Sequence, residues 1–140
     1  MELFAYSLVN MYFMGIQAGI QSAHSQSEMI MKAVKSQMPE DHLLQLLEWQ
    51  KSPTMILKRA GDIENMRFLK NVCEGQEAFP FATFEETGAG NGVISSITII
   101  MPDVKETCAR DLDGSRPRLD QYSPIEQELF MRVNRMRSAT

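Results

Sequence analysis

The chain has 140 residues, 44% hydrophobic and 23% charged side chains, and a formal net charge of −4. This length fits one domain with a single core, and the composition excludes a disordered, collagen-like or coiled-coil chain. The negative charge means that the molecule as a whole repels phosphate backbones, so contact with a nucleic acid would need a local basic patch.

Residues 3–27 contain no Asp, Glu, Lys or Arg. The gap is long enough for a membrane span, which needs about 20 mostly apolar residues, but it holds many polar side chains that hydrocarbon would leave without partners. The N-terminus carries Glu2 rather than Lys or Arg, and no small-residue cleavage site follows, which argues against a signal peptide. We therefore predict a cytoplasmic protein that does not bind a membrane.

The charge gap changes its periodicity at Gly15. Residues 3–13 are aromatic and aliphatic and predict a strand covered on both faces. After Gly15, apolar and small residues recur at steps of three and four, which predicts a helix with this stripe toward a core. The stripe comprises Ile16, Ile20, Ala23, Ser27, Ile30 and Val34. A polar row of Gln17, Gln21, His24 and Glu28 runs beside it.

The remaining elements follow from caps and β-branched runs. Pro39 begins a helix that ends before Pro53, residues 54–58 form a strand, and Asp62 caps a helix that Gly75 ends. Pro80 suits an edge strand over 79–85, and the β-branched run 93–101 suits the centre of the sheet. We predict an α/β fold, a three-layer sandwich of a mixed four-stranded sheet with helices on both faces, plus a C-terminal helix.

Residues 103–122 are dense in mixed charge without a clear period, which predicts a long exposed connection. Ser123, Pro124 and Glu126 then form a capping box for a terminal helix whose last turns carry Arg132, Arg135 and Arg137. The expected organisation is an α/β domain over 1–102, with 103–140 packing on it or extending from it. Two interpretations remain for four positively charged residues: they form a modest basic patch, or they are ordinary solvent-facing charges. These residues are Lys58, Arg59, Arg67 and Lys70.

Metal and nucleophile chemistry are poorly supported. Cys73 and Cys108 lack CxxC spacing, and His24 and His42 do not complete a zinc pattern, so we expect no metal and no cofactor. Two segments are candidate sites. His24 on the helix after the first strand is either an acid–base group or a packed polar edge, and the Glu85–Gly92 loop is either a source of carboxylates and backbone donors or an ordinary hairpin.

The order of these features resembles the peptidyl-tRNA hydrolase 2 family. That family has a strand, a Met-Gly-Lys-Gly-Lys turn and a helix with Ala-Ala-Gln-Cys-Ser-His-Ala, to which Met14-Gly15 and Gln21-Ser22-Ala23-His24 are similar. The family next has Trp-Glu, a short spacer and a Lys-Val-Val-Leu-Lys strand, to which Glu48-Trp49 and residues 54–58 are similar. It then has an Asp-Ala-Gly-Arg-Thr-Gln-Ile loop and a closing strand, to which residues 86–102 are similar. The resemblance spans residues 3–102. At the family's turn lysines this chain has Gly15, Ile16 and Gln17, and at its loop Asp it has Glu86.

The resemblance implies two hypotheses. In one, the domain lacks the lysine-dependent hydrolysis and is a binding module that holds tRNA, peptidyl-tRNA or, through 103–140, a protein. In the other, it hydrolyses a peptidyl-tRNA ester: Glu86 positions a water or amine, and Gln21 and His24 polarise the carbonyl. The substrate-binding residues expected on either hypothesis are Gly15, Gln17, Lys58, Thr87 and Asn91. A homodimer is compatible with the sequence.

Overall fold

The fold, in a computed structural model, is described for residues 2–86, 92–109 and 118–139. The strands are β1 (Leu3–Asn10), β2 (Met55–Gly61), β3 (Phe81–Glu86), β4 (Val93–Pro102) and β5 (Arg137–Ser138). The helices are α1 (Ile16–Val34), α2 (Glu40–Gln50), α3 (Ile63–Gly75), α4 (Val104–Cys108) and α5 (Pro124–Arg135), with a 3-10 turn at Arg118–Gln121.

The strands form one mixed sheet in the order β3-β4-β1-β2-β5. β1 and β2 are parallel, joined through α1 and α2, whereas β4 is antiparallel to both β1 and β3. The α/β class is confirmed, but the predicted count of four strands is wrong, because Arg137–Ser138 adds a fifth beside β2. Two residues at the end of a helix are too few to leave a strand periodicity in the sequence. β3 is an edge strand as expected, and β4 lies inside the sheet between β3 and β1, the middle strand.

The core consists of two apolar clusters that use alternate residues of the same strands. Tyr6 and Leu8 of β1 belong to the larger cluster, which α3, α4 and α5 cover, whereas Ala5 belongs to a smaller one with Met29 of α1 and Trp49 of α2. Since successive strand residues point to opposite faces, helices lie on both faces of the sheet. The predicted layering is matched only in part, because the two helical coverings differ in size and in make-up.

Two predicted helix starts have the expected hydrogen bonds. The Asp62 side chain accepts from the Asn65 backbone N–H at the start of α3, and Ser123 and Glu126 form a complete capping box at the start of α5. Each cap satisfies backbone donors that have no partner within the helix, so these short polar patterns fix where the helices begin.

α1 lies on the sheet with the opposite face to the predicted one. Its buried residues are Ala18, Gln21, Ser22, Ser25 and Met29, whereas Ile16 is 81% exposed and Val34 is 69% exposed. The strands beneath α1 explain this orientation, because they present Ser7, Ser95, Ser96 and Thr98, all buried, and these hydroxyls need hydrogen-bond partners. The expectation that the apolar stripe faces the core is therefore wrong.

The segment after β4 is more ordered than the charge pattern predicts. α4 begins there, with Asp103 accepting hydrogen bonds from the backbone N–H groups of Lys105 and Glu106, and Val104 and Thr107 are buried. Residues 110–117 lie outside the described part. α5 places Leu129, Phe130 and Val133 in the larger apolar cluster. Over the described ranges, no helix combines the length and apolar character needed to cross a membrane.

Candidate functional site

The carboxyl ends of the parallel strands β1 and β2 meet at one edge of the sheet, where α/β proteins commonly bind ligands. The chain leaves β1 through a turn in which the Met11 N–H donates to the Gly61 carbonyl of β2 at 2.8 Å. Gly15 ends this turn with φ +57°, a left-handed conformation that suits glycine, and α1 begins at the next residue. Gln17 lies exposed in the first turn of α1.

The Gln21 side chain is buried and hydrogen-bonded to the sheet, so it is not available to contact a ligand. It is 5% exposed, and the Ser95 hydroxyl donates to its side-chain oxygen Oε1 at 2.8 Å. The Ser96 hydroxyl donates to its backbone carbonyl at 2.5 Å. The two serines thus fasten α1 to β4, and Gln21 serves as a structural link.

His24 packs against β3 near the end of that strand. The exposed His24 ring stacks on Phe84 of β3, with ring centroids 4.4 Å apart and planes 16° apart. The register between β3 and β4 shifts between Phe84 and Glu85, and β3 ends at Glu86, which is partly buried. The Glu85 carboxylate lies 3.4 Å from the ammonium of Lys70 in α3. The structure therefore places His24 against β3, two residues before Glu86 along the strand.

Lys58, another predicted binding residue, lies away from His24. Lys58 is opposite Leu8 in the register of β1 and β2, which gives it the α3–α5 face, and its ammonium donates to the Met136 carbonyl at 3.2 Å. Thr87 and Asn91 lie outside the described residues.

A basic groove lies beside Gly61, at the same edge of the sheet. It has a volume of about 290 Å³, and its walls include Arg59 of β2 and Arg132 and Arg135 of α5. Arg132 is already engaged, because its Nε donates to Glu128 at 2.7 Å and its guanidinium stacks over Phe68. Arg59 and Arg135 make no ion pair with any residue that the structure describes.

The sequence did not predict this groove. Arg59 was grouped with Lys58, Arg67 and Lys70, but Lys70 instead pairs with Glu85 and Glu74. The groove arises because the end of α5 and the short strand β5 return to β2, and Arg137 is directly opposite Arg59 in that pairing. The arginines near the C-terminal end of α5 were the sequence feature that could have indicated the groove. Their proximity to Arg59 follows only from the fold.

The cysteines are poor nucleophiles. Burial raises the pKa of the Cys73 thiol to about 12, and burial also raises the pKa of Cys108. Because the thiolate is the reactive form, a raised pKa lowers the reactivity of both thiols near neutral pH. Among the described residues no group of three or more His, Cys, Asp or Glu side chains is arranged to hold a metal ion.

An apolar cavity of about 370 Å³ lies at the opposite end of the sheet, beside Leu3 and Pro102, and none of the predicted site residues lines it. No protein-family model matches this chain, and no curated protein matches its sequence.

Proposed function

We propose that the protein is an RNA-binding module of the peptidyl-tRNA hydrolase 2-like type, acting in the cytoplasm, which holds RNA without hydrolysing it. The observation that carries the proposal is the groove beside the carboxyl edge of the sheet, where Arg59 and Arg135 make no ion pair with a described residue and Arg132 is held by Glu128. Guanidinium groups bind phosphate oxygens in pairs of hydrogen bonds, and a groove with several of them fits a phosphate backbone.

The arrangement of charge favours an anionic ligand at this place. The molecule carries a net charge of −4, yet Arg59 and Arg137 are directly opposite each other on neighbouring strands. Like charges in that position destabilise a strand pair, and a bound phosphate would offset the repulsion. The groove therefore supplies the local basic patch that an acidic protein needs in order to contact nucleic acid.

The surroundings of Gln21 argue against hydrolysis. The resemblance implies lysines in the turn before α1, and this chain has Gly15, Ile16 and Gln17 there. The oxygen of the Gln21 amide accepts a hydrogen bond from Ser95, and the side chain is buried. Without a cation aimed at the developing oxyanion, the largest electrostatic contribution to ester cleavage is missing.

The test is the salt dependence of binding to labelled tRNA, measured by fluorescence anisotropy. Binding by the unaltered protein should weaken steeply with salt, and Arg59→Ala and Arg135→Ala should each lower the magnitude of the log–log salt slope by about 1. Arg67→Ala is the matched control, because Arg67 is an exposed arginine outside the groove. Equal effects of all three substitutions, or no binding at low salt, would refute the proposal.

Hydrolysis of peptidyl-tRNA is the second candidate, and the stacking of His24 on Phe84, two residues before Glu86 in β3, favours it. In this case Glu86 positions a water beside the ester, and His24 polarises the carbonyl. Purified protein would then release peptide from peptidyl-tRNA, and Glu86→Gln would stop the release while leaving tRNA binding intact. A protein partner held by residues 103–140 stays a prediction; deletion of that segment removes α5, so point variants of exposed residues are the better test.

A further inference from the structure

We propose that α1 is the interface of a homodimer, in which two copies of the helix pack antiparallel about Ser25. The proposal starts from the inverted orientation of α1. Its polar residues face the sheet, and its apolar stripe faces solvent. The exposed fractions of the large stripe side chains are 81% for Ile16, 41% for Ile20, Ile30 and Met31, and 69% for Val34.

The stripe lies directly opposite the buried face. At about 100° per residue, its members fall within an arc of about 100° on the far side of the helix from Ser25. No charged residue lies between Glu2 and Glu28, so the first part of the helix has no charge to repel a partner. An amphipathic helix normally packs such a stripe against an apolar surface. The described part of this chain provides no apolar surface that covers it.

The size of the surface fits a dimer interface. Met11, Tyr12 and Met14 of the turn that leads into α1 are also exposed, by 43%, 68% and 63%. Together these eight large side chains present an area on the order of the roughly 800 Å² that each partner contributes to a standard interface. The largest apolar patch on an ordinary monomer is only about 300–600 Å².

The pattern of the stripe identifies the occupant as a second copy of this chain. A two-fold interface must be self-complementary, and the stripe reads alike in both directions from Ser25. Ile20 and Ile30 are each five residues from Ser25, Ile16 and Val34 are each nine, and Ala23 and Ser27 are each two. Apart from Met31, whose counterpart is Gly19, two antiparallel copies therefore place large side chains opposite large ones and small opposite small.

Gly19 supports close packing at the same place. A Cβ atom added there would meet nothing within 4 Å, so the backbone at Gly19 is open to solvent. In the antiparallel arrangement the Ile30 side chain of the second copy lies over this open backbone, beside Ile20. Small residues between large ones allow such insertion of a side chain into the facing helix.

The test is sedimentation equilibrium of the full chain over a range of concentrations. We expect a monomer–dimer equilibrium that Ile20→Glu weakens by about 100-fold or more, because the dimer would bury an unpaired carboxylate. Leu44→Glu is the control: Leu44 is 60% exposed on α2, outside the stripe, and its change should leave the dimer intact. A monomer at all concentrations, or equal effects of the two substitutions, would overturn the proposal.

A charge exchange tests the register. Ile20→Glu and Ile30→Lys should each weaken self-association, and mixing the two variants should restore a dimer, because residue 20 of one copy faces residue 30 of the other. Failure of the mixture to associate would refute the antiparallel arrangement about Ser25. If association is instead seen only with lipid vesicles, the stripe is a membrane-binding surface and the dimer proposal is wrong. Binding of tRNA reports on the proposed function separately, since no groove residue lies on the stripe.

Discussion

Thr98→Val should remove the hydrogen bonds that join α1 to the centre of the sheet. Thr98 is 1% exposed, and its hydroxyl lies 3.1 Å from the Ser7 hydroxyl and 2.6 Å from the Ser25 hydroxyl. Ser22 extends the network by donating to Ser7 at 2.5 Å. Valine has nearly the same shape as threonine, so the substitution leaves the packing in place and removes only the hydroxyl.

The expected loss follows from the two hydrogen bonds. Each contributes about 1 kcal/mol net, so the free energy of unfolding should fall by about 2 kcal/mol. With a urea m-value of roughly 2 kcal/mol/M for a domain of this size, the midpoint should move down by about 1 M. The measurement is urea unfolding followed by far-UV circular dichroism, at one fixed protein concentration because association would add to stability.

Thr83→Val is the matched control. Thr83 is a half-buried threonine of β3 whose hydroxyl makes no hydrogen bond with the described residues. Its substitution should change the stability by less than about 0.5 kcal/mol. A Thr98→Val midpoint equal to that of Thr83→Val would show that the hydroxyls do not hold α1 to the sheet.

A double-mutant cycle with Ser25→Ala isolates the shared bond. Ser25→Ala loses the contact with Thr98 and the donation to the Ser22 carbonyl, so alone it should also cost about 2 kcal/mol. The double variant should cost about 3 kcal/mol rather than 4, because one bond is common to both substitutions. Strict additivity would place the two hydroxyls in separate environments and contradict the described network.

Three further predictions concern the larger apolar cluster. Phe130→Ala should lower the free energy of unfolding by about 3–5 kcal/mol in the same urea assay, because the fully buried ring packs edge-on to a neighbouring phenylalanine at 5.5 Å; a loss below about 1 kcal/mol would contradict this packing. Burial raises the pKa of Tyr6 to about 12, so the stability that it contributes is complete below its unfolded pKa near 10 and is lost as the pH rises toward 12. Thermal unfolding from pH 8 to 12 should show this decline, and Tyr6→Phe should reduce it. Cys73 should resist alkylation by iodoacetamide at pH 8 until urea unfolds the protein, and mass spectrometry of native protein modified at Cys73 would contradict its burial.

The caps and β-branched runs made much of the fold predictable. Asp62 and Ser123 mark helix starts because the pattern that satisfies backbone donors is local in sequence. β5 was not predictable, because its two residues form a strand only through Lys58 and Arg59 of β2. The orientation of α1 was mispredicted because the apolar stripe was assumed to seek the core. The polar character of the underlying strands, including Ser7 and Thr98, decided the outcome, and that pairing is long-range.

The candidate site was predictable only where residues are neighbours on one element. Gln21 and His24 share one helix, and His24 stacks on Phe84, two residues before Glu86 in β3. The capture of Gln21 by Ser95 depends on a contact between α1 and β4, which no local pattern encodes. The basic groove likewise combines Arg59 and Arg135 from distant parts of the chain.

Retention of labelled peptidyl-tRNA on a filter, with the ester examined after incubation, tests the central claim of binding without hydrolysis most directly. The protein is used at stoichiometric concentration and low salt, with Arg59→Ala/Arg135→Ala as the groove variant. We expect the unaltered protein to retain the RNA with its ester intact, and the groove variant to retain none. Release of the peptide by the unaltered protein, or equal retention by both proteins, would contradict it.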